Sequence, residues 1–175
     1  MNQSFVLTVI SDDKPGVVES ISQAIADAGG NWQESHMTHL AGKFAGLLTV
    51  SLPTENSALL ENALQALSSK GIQTLFQAAN ESGSPQAPHN YKFVLVGPDR
   101  AGIVREMSQA FLAHHINLAE FNSRFTSMPY SGDPLFEAKG ILQVPESVDI
   151  NDLEDQLDEI RNALAVDITL EQPES

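Results

Sequence analysis

The sequence predicts an α+β fold in which one small module occurs twice in tandem. The chain of 175 residues is long enough for two small domains, and its apolar residues alternate between strand spacing and helix spacing. Sliding the sequence by 86 positions aligns residues 13–34 with residues 99–120, giving 8 identities in 22 positions without a gap. Because these identities coincide with elements of the same predicted type, a duplication explains the chain better than one larger domain does.

Each copy begins with a short apolar run, which predicts a strand that is buried on both faces: Phe5 to Ile10 and Tyr91 to Val96. A helix follows, because apolar residues then recur every three or four positions. We expect Asp13 to cap this helix in the first copy, with Pro15 in its first turn and Gly29-Gly30 at its end.

The remaining elements have the same order in both copies. The patterns predict second strands at 32–40 and 118–125, third strands at 44–52 and 136–144, second helices at 60–67 and 150–164, and last strands at 72–78 and 166–170. The order βαββαβ specifies a ferredoxin-like unit, which is an antiparallel four-stranded sheet with two helices on one face. One face of each sheet stays uncovered, so we expect the two units to pair within the chain, and a homodimer would bury such a face in the same way.

The domain organisation follows from a polar stretch between the copies. Residues 80–90 contain serine, glycine and proline with almost no apolar side chain, which is typical of a linker. We therefore expect a first domain at 1–79, a linker at 80–90 and a second domain at 91–175. The second copy also carries 6 extra residues within 124–134, a segment rich in turn-forming residues.

The composition excludes several classes of protein. The chain has 9 Lys and Arg against 23 Asp and Glu, a net charge of −14, which disfavours direct binding to nucleic acid or to anionic membranes. It has no cysteine, so disulfides, thiol nucleophiles and cysteine-ligated zinc are excluded. No stretch has the length of a membrane span and the N-terminus lacks a signal-peptide pattern, so we expect a cytoplasmic protein.

The sequence gives no support to an enzyme, a metal site or a bound cofactor. The motifs of zinc hydrolases, serine hydrolases and nucleotide-binding loops are absent. His36 and His39 are three residues apart in a predicted strand, so their side chains should point to opposite faces and make poor metal ligands together. The carboxylates between Asp152 and Glu159 alternate with an apolar stripe, which is typical of the solvated face of a helix.

The junction between the first strand and the first helix is the one candidate binding site in each copy. A helix N-terminus offers unpaired N–H groups to a carboxylate, a glycine allows close approach, and an asparagine amide both donates and accepts hydrogen bonds. A small amino acid requires this combination, although such residues also simply cap helices and form turns. The candidate ligand-binding residues are Asp12, Asp13, Lys14, Pro15, Gly16, Val17 and Asn31 in the first copy, and Asp99, Arg100, Gly102, Ile103 and Asn117 in the second.

The run from Asp13 to Val18, with the strand before it and Asn31 after the helix, resembles the ACT domain, a regulatory module that binds amino acids. The tandem copies and the segment from Phe111 to Glu120 resemble the family of glycine cleavage system transcriptional repressors, which consist of two such modules. The resemblance implies a non-enzymatic co-regulator with a small amino acid effector, glycine foremost, that acts through a DNA-binding transcription regulator. Ala101 stands where the family pattern has proline, so the second site is expected to be altered or to serve in contact.

Two other functions are consistent with a chain of this kind. The first is a regulatory subunit of an enzyme of amino-acid metabolism, which would use the same modules on a different partner. The second is a small enzyme comparable with acyl-phosphate hydrolases, which need a glycine-rich phosphate loop that holds an arginine. Arg100 lies near a glycine but lacks that loop, so the sequence disfavours the second.

Overall fold

The computed structural model describes residues 1–80 and 89–171. The chain divides into two compact units, Met1–Ser82 and Gly83–Ser175. Most of the proposed linker, residues 81–88, lies outside the described residues, as do residues 172–175. The domain boundaries at 79 and 91 therefore stay a prediction.

The first unit has the predicted order of elements. They are β1 (Asn2–Asp12), α1 (Val17–Asp27), β2 (Asn31–Leu40), β3 (Lys43–Pro53), α2 (Ser57–Ala66) and β4 (Ile72–Ala78). Short 3-10 helices at Thr54–Asn56 and Leu67–Lys70 flank α2. The sheet has the strand order β2-β3-β1-β4, and all of its neighbouring strands are antiparallel.

The second unit repeats this architecture. Its elements are β5 (His89–Pro98), α3 (Ile103–Ala113), β6 (Asn117–Ser127), β7 (Pro134–Val144), α4 (Ile150–Leu164) and β8 (Asp167–Glu171). The strand order is β6-β7-β5-β8, again antiparallel throughout. The predicted α+β class with two ferredoxin-like units is confirmed. Among the described residues, no helix is long and apolar enough to cross a membrane.

Both helices of a unit cover the same face of its sheet. In the first unit, Leu7 of β1, Ile21 of α1 and Leu60 of α2 are each fully buried and belong to one apolar cluster. In the second unit, Phe93 of β5 and Met107 of α3 occupy the corresponding places in a separate cluster. Alternate strand residues face this layer because successive side chains of a strand point to opposite faces.

The prediction that the first strands are buried on both faces was wrong. Along β1, buried side chains alternate with more exposed ones: Val6 and Thr8 are half-buried and Ile10 is 44% exposed. The apolar run reflects the preference of strands for β-branched side chains as well as burial. In a two-layer unit the helices cover only one face, so a central strand need not be buried on both.

The predicted start of the first helix was also wrong. The N-cap of α1 is Gly16, with φ of +90° and no side-chain cap, and Pro15 precedes the helix. Asp13 lies further back, where its backbone N–H donates to the Gly42 carbonyl. The end of the helix is as expected, since Gly29 adopts φ of +73° directly after the C-cap.

Candidate functional site

A cavity of about 250 Å³ lies at the junction of β1 and α1 in the first unit. The end of β1, the first turn of α1 and the start of β3 form its wall. A Cβ at Gly16 would come no closer than 3.8 Å to any other group, so the space beside this residue is open. The lining residues are Asp13, Lys14, Gly16, Val17, Val18, Glu19 and Phe44.

The residues around this cavity carry charges of both signs. Asp13 Oδ2 lies 3.4 Å from His39 Nε2, and both side chains are about half exposed. Lys43 forms an ion pair with Asp12. The hydrogen bond from Lys43, and then its positive charge, hold the pKa of Asp12 below its ordinary value. Lys14 Nζ donates to the Lys70 carbonyl oxygen.

The groups around the cavity are of the kinds that pair with the two charged groups of a small amino acid. The first backbone N–H groups of α1 have no partner within the helix, and the helix dipole places positive potential beside them, which suits a carboxylate. The Asp13 carboxylate at the rim can accept a hydrogen bond from an ammonium group. Val18 and Phe44 supply an apolar wall, which leaves room for a small side chain.

The structure does not bring all of the predicted residues together. Asp13, Lys14, Gly16 and Val17 line the cavity, whereas Asp12 and Pro15 lie in the same segment but outside its lining. Asn31 lies at the opposite end of the sheet. Asn31 pairs with Ser51 and Asp12 with Lys43 on β3, and the eight residue steps from Lys43 to Ser51 span roughly 26 Å of strand.

The corresponding junction of the second unit has the same backbone. Gly102 is the N-cap of α3 with φ of +89°, and the Asp99 N–H donates to the Pro134 carbonyl. Arg100 Nη1 lies 2.6 Å from Glu106 Oε2, so its charge is paired within the unit. Ile103 is only 4% exposed and belongs to the core, which leaves its side chain unavailable to a ligand.

Asn117 is also remote from its junction. Its amide Nδ2 donates to Gln143 Oε1 over 2.9 Å, at the end of β7 opposite to the Pro98–Leu135 pair. In both units, then, the asparagine at the start of the second strand lies far from the glycine at the helix N-terminus. A single unit cannot place both groups on one small ligand.

Comparison with known proteins identifies the module. Residues 3–77 match the family model of the ACT domain, which spans almost all of the first unit. The first unit is therefore similar to an ACT domain along nearly its whole length. The chain is also 23% identical over 120 residues to the glycine cleavage system transcriptional repressor of Escherichia coli (strain K12). That match covers 68% of this chain and 63% of the relative, so it spans less than two thirds of that protein.

Two solved structures are similar along nearly the whole chain. A crystal structure of an unknown protein from Galdieria sulphuraria has a TM-score of 0.83 and 27% identity, with 98% of each chain covered. A protein to which the role of glycine cleavage system transcriptional repressor has been ascribed has a TM-score of 0.72 and 19% identity, covering 98% of this chain and 97% of that one. The fold of this chain, a tandem of two ACT-like units, is therefore one that solved proteins share.

The side chains around the two junctions have diverged. His39 pairs with Phe44 across the sheet of the first unit, whereas Phe125 pairs with Phe136 at the same place in the second. Phe125 is 70% exposed and cannot pair with an aspartate. At this position a polar side chain of the first junction is thus replaced by an apolar one, although the second junction keeps the charged residues Asp99 and Arg100.

His39 and Lys43 also belong to the rim of the first junction, although no single motif of the sequence indicates them. The internal repeat does indicate Lys43, because the offset of 92 that aligns Phe44 with Phe136 aligns this charged residue with the apolar Leu135. His39 aligns with Phe125 at the offset of 86, so at both positions a polar residue of the first copy is matched by an apolar residue of the second. Among the described residues, no group of three or more histidine, aspartate and glutamate side chains could hold a metal ion.

Proposed function

We propose that this chain is a non-enzymatic regulatory protein that binds a small amino acid at the β1–α1 junction of its ACT domain, with glycine as the first candidate. It acts as a co-regulator, a repressor of glycine-cleavage genes, through a DNA-binding transcription regulator. The ACT match at residues 3–77 and the similarity to the Escherichia coli repressor support a regulatory role. Such a role places the protein in the cytoplasm.

The observation that carries the ligand proposal is the cavity beside Gly16. Its volume of about 250 Å³ favours a small ligand over a large one. The α1 N-terminus receives the carboxylate and Asp13 receives the ammonium group. Asn31 takes no part in this site, because it lies at the far end of the sheet.

Thermal shift with each of the twenty amino acids, followed by calorimetry on those that stabilise the chain, tests ligand binding. A ligand at 100 times its Kd adds roughly 2.7 kcal/mol to the free energy of unfolding, and this raises Tm by several degrees for domains of this size. Glycine should give the largest shift, followed by serine. No shift and no heat with any amino acid at millimolar concentration would refute sensing by this chain.

A matched pair of variants locates the site. Asp13→Asn removes the carboxylate at the cavity rim of the first unit, and Asp99→Asn makes the same change in the second. We expect Asp13→Asn to weaken amino-acid binding by about tenfold, the effect of losing a hydrogen bond to a charged group. Asp99→Asn should leave binding unchanged, and equal losses in both variants would refute the assignment to the first unit.

Two measurements test the partner. With a net charge of −14 the purified chain should give no DNA mobility shift at moderate salt, and a shift without any added regulator would contradict this. Co-purification from cells should recover a DNA-binding transcription regulator. Recovery of an enzyme of amino-acid metabolism would instead favour the alternative function, a regulatory subunit.

A further inference from the structure

The second unit contains a larger cavity, of about 540 Å³, whose lining includes none of the junction residues Asp99 to Ile103. It is formed by the end of β5, the start of β7, the end of α4 and the turn from α4 into β8. Its volume lies within the range of about 300–1,000 Å³ that is usual for small-molecule sites. The lining residues are Val96, Gly97, Pro98, Met128, Leu135, Asp158, Arg161, Asn162, Ala165, Val166 and Asp167.

One wall of this cavity is apolar. Val96, Pro98 and Leu135 contribute hydrocarbon from neighbouring strands, since Pro98 pairs directly with Leu135. Met128, from the segment that is longer in the second copy, is 44% exposed, so part of its side chain is accessible. Thioether side chains adapt their shape to an apolar ligand. This wall suits a short hydrocarbon chain.

The polar part of the cavity favours a positive charge. Asp167 pairs with Val96 across β8 and β5, so its side chain lies beside the apolar wall, and α4 contributes a second carboxylate, Asp158, and the one basic residue of the lining, Arg161, which is already engaged. Arg161 Nε and Nη2 donate to the Ile168 carbonyl over 2.9 and 2.6 Å, and Nη1 donates to Asp158. Arg161 Nη2 also lies 3.4 Å from Glu154. Within residues 1–80 and 89–171, Asp167 has no ion-pair partner.

The end of α4 adds to this negative potential. The helix ends at Leu164, and Ala165 follows in the left-handed conformation with φ of +53°. The last carbonyl groups of a helix carry the negative end of its dipole and attract cations. Asn162 of α4 also lines the cavity, and an asparagine amide can accept a hydrogen bond.

We propose that this cavity binds a small organic cation, an alkylammonium whose hydrocarbon chain lies on the apolar wall and whose ammonium group donates to Asp167. The site is separate from the amino-acid site proposed for the first unit and does not depend on it. An amine without a carboxylate fits best. The guanidinium of Arg161 donates its hydrogen bonds within the protein, so it does not present two free parallel N–H groups to a carboxylate.

Calorimetric titration of the full chain with n-pentylamine, and with pentanoate as a matched anion of the same hydrocarbon length, tests the proposal. We expect n-pentylamine to bind with one site per chain and pentanoate to give no heat. Asp167→Asn should weaken amine binding about tenfold, as expected for loss of a charged hydrogen bond. Glu171→Gln is the matched control, because it removes the same charge from an exposed position of β8 outside the cavity.

Three results would overturn the proposal. One is the absence of heat from n-pentylamine at millimolar concentration, and another is equal binding of pentanoate. The third is an equal loss of affinity in Asp167→Asn and Glu171→Gln, which would show diffuse attraction to an acidic surface. Melting curves of both variants establish that each is folded before its titration is compared.

Discussion

Replacing Gly16 by valine should destabilise the protein through backbone strain and not through crowding. The sequence places this glycine near the first helical turn, where valine would cost only a few tenths of a kcal/mol. The structure places it before the helix at φ of +90°, in the left-handed region. A Cβ would find no group closer than 3.8 Å, so the cost comes from the backbone alone, about 1–2 kcal/mol.

Thermal melting measures this cost directly. For a domain of 60–100 residues, 1 kcal/mol lowers Tm by about 4–8 °C, so Gly16→Val should lower it by about 4–16 °C. Gly16→Asn is the informative comparison, because asparagine tolerates the left-handed region better than other non-glycine residues. The Tm of Gly16→Asn should fall by less than half as much as the Tm of Gly16→Val. Gly102→Val, at φ of +89°, should cost about as much as Gly16→Val.

Amino-acid titration of the same variants separates the conformational role of Gly16 from its role in the site. Both Gly16→Asn and Gly16→Val introduce a side chain beside the cavity, so both should lose ligand affinity although only valine strains the fold strongly. A Gly16→Val protein that melts like the wild type would refute the strain argument. A folded Gly16→Asn protein that binds its ligand normally would refute the site assignment.

Three further substitutions test other parts of the structure. A Cβ at Gly140 would lie 1.8 Å from the Glu120 carbonyl oxygen, so Gly140→Ala should lower the free energy of unfolding in urea by about 1–3 kcal/mol, and an unchanged midpoint would contradict this close packing. Lys43→Met should raise the pKa of Asp12 towards 3.8 in an NMR titration; in the wild type this pair stabilises the fold above that pH and the contribution is lost as the pH falls below it. Asp149→Ala removes the side-chain cap of α4 and should cost about 1 kcal/mol in thermal melts, whereas Asp149→Asn should cost less.

The order and type of all twelve α-helices and β-strands among the described residues could be predicted from the sequence, whereas the two short 3-10 helices could not. Period-two and helical spacings are strong signals when one face of each element is buried, and the repeat allowed each element to be checked against its counterpart. The strand from Ile72 to Ala78 was predicted to the residue, for example. The helix start at Val17 was not, because Asp13 is an equally good cap by residue type and only the backbone angle at Gly16 decides between them.

The separation of Asn31 from the junction is a consequence of topology and not of any local signal. In a βαβ connection the helix carries the chain back along the sheet, so the second strand is parallel to the first. It therefore begins at the same end of the sheet at which the first strand began. The predicted order of elements already contained this result. The chemistry of Asn31 alone suggested a place beside Gly16. The direction of the strands puts it at the other end of β3, roughly 26 Å of strand away from the end that lies beside the helix N-terminus.

The two junctions show which features serve the fold and which serve a ligand. Gly16 and Gly102 have nearly the same φ, +90° and +89°, so the turn into the helix is retained in both copies. Two residues beside the turn are not retained, since Asp12 is matched by Pro98 and its ion-pair partner Lys43 by Leu135, whereas Asp13 is matched by Asp99. Retention of the glycine alone is therefore explained by the conformation of the turn and does not by itself indicate a ligand. The case for a ligand in the first unit therefore depends on the charged side chains around Gly16, and the titration of Asp13→Asn against Asp99→Asn is the measurement that decides it.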